Sequence, residues 1–267
     1  MASIFIGTGA VWRGLEALLL PAACLGCGAA LPPARASEGC CALCRSRMRA
    51  PAAPLCPRCG QPRDPWERRG QPDAKPAAAG GPRGTERAAG TCGFCRGWPD
   101  ALVWATSAVW LEDGPARELV HALKYGGWRV AAGAMADGML RRGAARLADV
   151  EVLVPVPLGA RRLRQRGYNQ AAVLAAALGA RLGARVETGA LDRTRETRSQ
   201  TTLSPAERWR NVAGAFVATG PLDGARVAVV DDVLTTGATL AACAAALAAG
   251  GAGGVGAATF ARAAVPD

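Results

Sequence analysis

The pattern of apolar positions divides the chain near residue 100. Beyond it, Leu102 to Leu111 reads as a strand, and Gly114-Pro115 opens a helix whose Leu119, Val120 and Leu123 share one face. A second helix follows through Met139. Val152 to Val156 is a short apolar run suited to a buried strand, and it is followed by a basic turn and a helix from Asn169 to Leu182. The run from Arg226 to Val230 predicts another buried strand. A polar turn, an Ala/Leu helix over 238–249, a Gly-rich turn at 250–254 and a last strand over 255–261 complete the pattern. Strand-helix-strand repetition predicts a mostly parallel sheet, in which ligands sit beyond the carboxyl ends of the strands.

Before residue 100 the periodicity disappears. From Cys24 to Cys95 there is no Val or Ile, and the large apolar residues are only Leu25, Leu31, Leu43, Met48, Leu55, Trp66 and Phe94, too few to build a core unaided. Nine of the ten cysteines fall there, and eight of them form C-x-x-C pairs: Cys24/Cys27, Cys41/Cys44, Cys56/Cys59 and Cys92/Cys95. Such a pair sits on a tight knuckle that aims two sulfurs at one ion. Two structural Zn2+ sites follow, the first two pairs together and the last two together, with interleaved pairing as the alternative. Zinc supplies about 10–16 kcal/mol in small modules, enough to make binding and folding one event. Residues 61–91, rich in Pro, Gly, Ala and Arg, read as a flexible insertion within the second site.

The chain has 267 residues, 50% of them hydrophobic and 20% charged, a globular composition that excludes disorder throughout. Its most apolar N-terminal stretch, Ala10 to Ala23, is interrupted by Arg13 and Glu16. It reads as part of an N-terminal helix (1–23) rather than a membrane span or signal peptide, so the expected location is cytoplasmic. The formal charge of +11 suggests an anionic partner, but only Lys75 and Lys124 of the 32 basic residues are lysines, a skew that coding bias would produce. Distribution is more informative: Arg161 to Arg210 contains eleven Arg against Glu187, Asp192, Glu196 and Glu207, whereas 101–160 balances at zero and 211–267 at −2.

One strand end carries distinctive chemistry: Val229-Val230-Asp231-Asp232-Val233-Leu234-Thr235-Thr236-Gly237-Ala238-Thr239. Two adjacent carboxylates precede a turn of hydroxyls and one glycine that enters a helix, whose first N–H groups and dipole favour an anion. The turn reads as a phosphate cradle, and the carboxylates as a grip on the vicinal hydroxyls of a phosphorylated sugar. The Walker lysine pattern and the dinucleotide fingerprint are both absent.

This stretch resembles the PRPP-binding motif (PRPP, 5-phosphoribosyl 1-pyrophosphate) of type I phosphoribosyltransferases. Three further features are similar to the ComF/GntX family: Val154-Pro155-Val156-Pro157 leading to Arg166-Gly167-Tyr168-Asn169-Gln170; Thr197-Arg198-Ser199-Gln200 with Asn211-Val212; and knuckles such as Cys56-Pro57-Arg58-Cys59-Gly60. The resemblance implies an α/β fold, a type I phosphoribosyltransferase-like parallel sheet flanked by helices (101–267), preceded by a small double zinc ribbon (24–98). It also implies PRPP bound with Mg2+, and a role in uptake of single-stranded DNA alongside other competence proteins. Carried over by position, Asp231 and Asp232 face the ribose hydroxyls, and Thr235, Thr236, Gly237, Ala238 and Thr239 hold the 5′-phosphate. The turn of Pro155, Val156 and Pro157 faces the pyrophosphate, with Arg161, Arg162, Arg164 and Arg166 just after it. Residues 192–210, with Arg195 and Arg198, form a lid that is open without ligand. The long 61–91 insertion departs from the family pattern. Lys124 and Tyr125 are candidates for the acceptor side, His121 reads as structural, and no general base stands out. For stacking DNA bases, Trp66, Phe94, Trp98 and Trp209 are the candidates.

Overall fold

Two runs of β-branched residues set the centre of the molecule. The structure, a computed structural model, describes residues 22–63, 91–196 and 204–264; the expected N-terminal helix and most of the 61–91 insertion lie outside them. Five parallel strands form one sheet: β1 (Leu102–Trp110), β2 (Val152–Pro155), β3 (Arg185–Val186), β6 (Arg226–Leu234) and β7 (Gly254–Arg262), in the order β1-β7-β6-β2-β3. A separate antiparallel ribbon pairs β4 (Leu191–Arg193) with β5 (Phe216–Ala218).

Side chains alternate along β6, and the alternation divides the interior. Val227 and Val229 join one apolar cluster with helix α7 (Ala238–Ala249). Ala228 and Val230 join the other with α2 (Pro115–Tyr125), α3 (Ala131–Leu147) and α5 (Gln170–Leu182). Short helices α1 (Ala42–Arg47), α4 (Ala160–Arg166) and α6 (Pro205–Val212) lie between these elements. Two expectations change here. The basic turn after β2 is the helix α4, closed by Gly167 at φ 77°. The 192–210 lid is ordered at both flanks, by β4 and by α6, where Ser204 and Glu207 form a reciprocal capping box. Arg198 and the rest of 197–203 lie outside the described residues.

The cysteine loops pack along the edge of the sheet at β1. There the Ala105 and Trp110 amides donate to the carbonyls of Arg58 and Arg49, at 2.7 and 2.8 Å, so the edge is covered. Cys24, Cys40 and Cys44 belong to the apolar cluster on one face of the sheet, and Cys56, Cys59, Cys92 and Cys95 to that on the other.

The reversal of strand order falls between β2 and β6. From β6 the chain continues through α7 to β7 on one side, and from β2 through α5 to β3 on the other. In doubly wound sheets this divergence opens a crevice at the carboxyl ends of the two strands. β2 ends at Pro155, opposite Val230, while β6 stays paired to β7 as far as Leu234. Asp231 and Asp232 are therefore within the strand, which runs four residues beyond the expected boundary, and stand where β2 has ended.

Candidate functional site

A cavity of about 740 Å³ occupies that crevice. Asp231, Asp232, Thr235, Gly237 and Thr239 line it from the end of β6 and the start of α7; Val156 and Pro157 line it from the turn after β2. α4 presents Arg162, Gln165 and Arg166, three positions that share one face of a helix, so Arg161 and Arg164 point outward and are exposed. Lys124 and Tyr125 come from the end of α2, and Arg193 and Arg208 from β4 and α6.

The charges are unevenly balanced by protein partners. Lys124 Nζ stands 2.7 Å from the carboxylate of Asp232, which is 3% exposed. Burial pulls the Lys124 ammonium down, but the charge and hydrogen bond of Asp232 outweigh that and hold it above its ordinary pKa. Burial pushes the Asp231 carboxyl well above the usual range, and the neighbouring charge of Asp232 pushes it further. Asp231 is half-buried and lines the cavity. Burial also lowers the Arg193 guanidinium, with Arg162 adding repulsion. Five cations therefore line the cavity against two carboxylates, a surplus that favours a polyanion.

Local sequence explains how the basic segment is held. Gly167 ends α4 in the left-handed conformation. The Tyr168 hydroxyl donates to the Leu123 carbonyl, tying this segment to α2. The Asn169 side chain caps α5 through the Ala171 amide (2.9 Å) and donates to the Val156 carbonyl (2.9 Å), fixing the turn after β2. Gln170, buried, accepts from Arg166, whose guanidinium also lies 5.3 Å from the centre of the Tyr125 ring. The Glu196 carboxylate accepts from the Arg161 amide at 2.9 Å, so in this structure a protein carboxylate covers the start of α4.

The cysteines form two tetrads: Cys24, Cys27, Cys41 and Cys44, and Cys56, Cys59, Cys92 and Cys95. Within each, all four sulfurs lie within 4.8 Å of one another. The shortest separations, 3.4 to 3.9 Å, are far too long for disulfides and near the spacing of about 3.8 Å for sulfurs at a tetrahedral zinc ion. The interleaved pairing is therefore not adopted. In the first tetrad the Gly26 and Cys41 amides donate to Cys24 Sγ at 3.4 and 3.2 Å, a pattern that favours thiolate and holds Cys24 down at about 6 against its burial. Beside the second lies a buried guanidinium, Arg262, 1% exposed, whose Nη1 donates to the Cys59 carbonyl while Nε and Nη2 find no hydrogen-bond partner among the described residues. A four-thiolate metal centre carries net negative charge and would compensate this buried cation, so the residues present fit zinc.

Residues 164–266 match the phosphoribosyl transferase domain family. The DNA utilization protein YhgH of Salmonella typhi is 32% identical over 229 residues, 84% of this chain and 89% of that protein. The protein of the same name from Escherichia coli K12 is 30% identical over 230 residues, with the same coverage. The chain belongs to the ComF/GntX family. Competence protein F of Haemophilus influenzae matches over a shorter stretch, 39% identical over 93 residues, 34% of this chain and 41% of that protein. The parallel sheet flanked by helices is the type I phosphoribosyltransferase architecture that membership implies, and the cysteine tetrads are compatible with the zinc ribbons of a ComF chain. Among the described residues no helix is long and apolar enough to cross a membrane.

Within this ComF chain, Asp231, Asp232, Thr235, Gly237, Thr239, Val156, Pro157, Arg162 and Arg166 meet at the cavity. Pro155 is buried in β2, the carbonyl of Thr236 accepts from Trp98, Ala238 is buried, and the Arg195 side chain donates to the Ala213 carbonyl (2.8 Å). His121 is exposed on α2, 5.0 Å from the Tyr125 ring. The expected stacking residues are not free platforms. Trp98 is buried, and Phe94 meets it edge-on at 5.6 Å and lies under Arg262. Trp209 is half-buried against the core, and Trp66 lies outside the described residues. Among the described residues the exposed aromatics are Tyr125, which lines the cavity, and Trp128, three residues further on. Arg193 and Arg208 escape sequence reading because their approach depends on how the 191–218 segment folds over the sheet.

Proposed function

We propose that this chain binds PRPP, together with Mg2+, in the cavity between β2 and β6. The observation that carries the reading is the acidic pair at the end of β6, which leads into α7 through a left-handed Gly237 N-cap that has no side chain of its own. Asp231 and Asp232 accept the ribose hydroxyls. The 235–239 turn and the α7 amides receive the 5′-phosphate, where the helix dipole favours negative charge. Arg162 and Arg166, with the 155–157 turn, face the pyrophosphate. Mg2+ supplies neutralisation of the pyrophosphate charge when bound with PRPP.

With an acceptor present, the reaction is phosphoribosyl transfer: the bond from C1′ to pyrophosphate breaks as the bond to the acceptor forms. Positive charge develops at C1′ while the arginines stabilise the departing oxygens. Pyrophosphate release, measured with and without single-stranded DNA or free bases, tests it. Turnover above the buffer rate supports a transferase; PRPP binding without turnover under every acceptor supports a PRPP-binding regulator.

A second reading concerns nucleic acid. The names of the relatives refer to DNA utilization and competence. Exposed Tyr125 and Trp128, with the Arg166 guanidinium 5.3 Å from the Tyr125 ring, have the composition of a surface for single-stranded DNA. Titration of labelled single-stranded DNA at two salt concentrations, with and without PRPP, separates the cases. Binding that weakens steeply with salt and is displaced by PRPP places the strand at the cavity mouth; no binding at low salt removes this reading.

A further inference from the structure

The phosphate turn leans on a residue from the cysteine loops. Trp98 is 4% exposed, and its indole Nε1 donates to the Thr236 carbonyl at 3.3 Å. Gly237, at φ +81°, lies so close to the ring that a β-carbon there would stand 2.5 Å from Trp98 Cζ2. The glycine is therefore required twice, for its left-handed backbone and for the space the indole occupies.

Trp98 is itself held by the second tetrad's knuckles. Its amide donates to the Cys95 carbonyl at 3.1 Å. Its carbonyl accepts from Arg58 Nη2 at 3.3 Å, and the same guanidinium reaches the carbonyls of Cys95, Pro99 and Leu102. Arg58 lies between Cys56 and Cys59, so both knuckles of the tetrad grip the tryptophan from either side. On the other side, within the 235–239 turn the Ala238 amide donates to Thr236 Oγ1 at a long 3.4 Å, and the Gly237 carbonyl accepts from the Ala241 amide at 2.8 Å.

We propose that Trp98 is a positioning residue for the phosphate turn, transmitting the geometry of the second cysteine tetrad to residues 235–239. The proposal rests on the reading of that turn as the 5′-phosphate site. A glycine-containing turn samples many conformations, and a ligand that needs one of them binds in proportion to the population already there. The indole restricts that population before ligand arrives, through ring contact with Gly237 and the bond to the Thr236 carbonyl. A merely space-filling tryptophan would instead add stability evenly, without preference for the turn.

The test uses the full-length, zinc-loaded protein, wild type and the Trp98→Phe and Trp98→Ala variants. Three quantities are measured: zinc content, amide hydrogen exchange across 232–241, and PRPP affinity with Mg2+. Both variants should retain wild-type zinc. Exchange at 235–239 should quicken by about tenfold in Trp98→Ala, and PRPP should weaken by a similar factor, because the competent turn becomes a minor population. Trp98→Phe keeps most of the ring contact without the donor and should rescue most of both effects, while exchange in β2 and α5 stays at the wild-type rate. Exchange at 235–239 unchanged in both variants overturns the proposal, as does loss of zinc from Trp98→Phe, which would make the residue part of the tetrad's own framework. If Trp98→Ala does not fold, Trp98→Phe decides, with an expected quickening of about threefold confined to the turn. The exchange readout needs no PRPP: faster exchange without PRPP binding in any form sustains the role of Trp98 and defeats the PRPP reading instead.

Discussion

Replacing Lys124 with methionine removes the protein cation that faces Asp232. At 2.7 Å and an effective dielectric constant of about 20, the attraction is about 6 kcal/mol, of which desolvation of the ammonium takes back a part. Removing one partner of a fully buried pair costs about 3–5 kcal/mol. The Lys124 side chain is 23% exposed and that of Asp232 4%, so water relieves some of the loss and about 3 kcal/mol is expected. Methionine keeps most of the aliphatic stem, so the change reports charge more than packing. Urea unfolding of wild type, Lys124→Met, Asp232→Asn and the double variant forms a cycle that isolates the pairwise part. The double variant should be clearly more stable than Lys124→Met, because the stranded carboxylate is gone. A coupling below about 0.5 kcal/mol would show that the contact is no stronger than a surface pair and would refute the reasoning.

Elemental analysis should find two zinc ions per chain in protein purified without chelator, and stripping them should unfold the cysteine loops; stoichiometric disulfides in the native form would contradict the tetrads. The raised Asp231 pKa gives a pH dependence of known sign. Between the ordinary carboxylate range and its raised value, the native chain holds a proton that the unfolded chain has released, so stability falls as pH rises through that window. Asp231→Asn should flatten this slope in urea midpoints measured from about pH 4 to about pH 8, and an unchanged slope would assign the effect elsewhere.

What the sequence made legible was local. The Val-rich runs of β2 and β6, the Ala/Leu helix α7 and the acidic pair before the hydroxyl turn are all contiguous signals. The cysteine tetrads were legible through knuckle spacing, and the simplest pairing, the first two pairs together and the last two together, is the one the structure adopts. Contacts distant in sequence were hidden. The bond from Trp98 to Thr236 spans 138 residues, and nothing in the composition of the cysteine loops marks an indole that rests on the 235–239 turn. The end of β6 was misjudged because Asp231 and Asp232 look like turn residues, whereas pairing with β7 carries the strand through them to Leu234. α4 was read as a turn because five of its seven residues are Arg or Gln and it lacks the apolar stripe that marks a helix, its amphipathicity being between arginines that face the cavity and arginines that face solvent.

Calorimetric titration of PRPP with Mg2+ into wild type and the Asp231→Asn/Asp232→Asn double variant tests the central claim most directly. Charge-assisted acceptors are worth about 1.5–3 kcal/mol each, so the account predicts one PRPP per wild-type chain, dependent on Mg2+, and at least about tenfold weaker binding to the double variant. Absence of binding to zinc-replete wild type, or equal affinity in both, would contradict it.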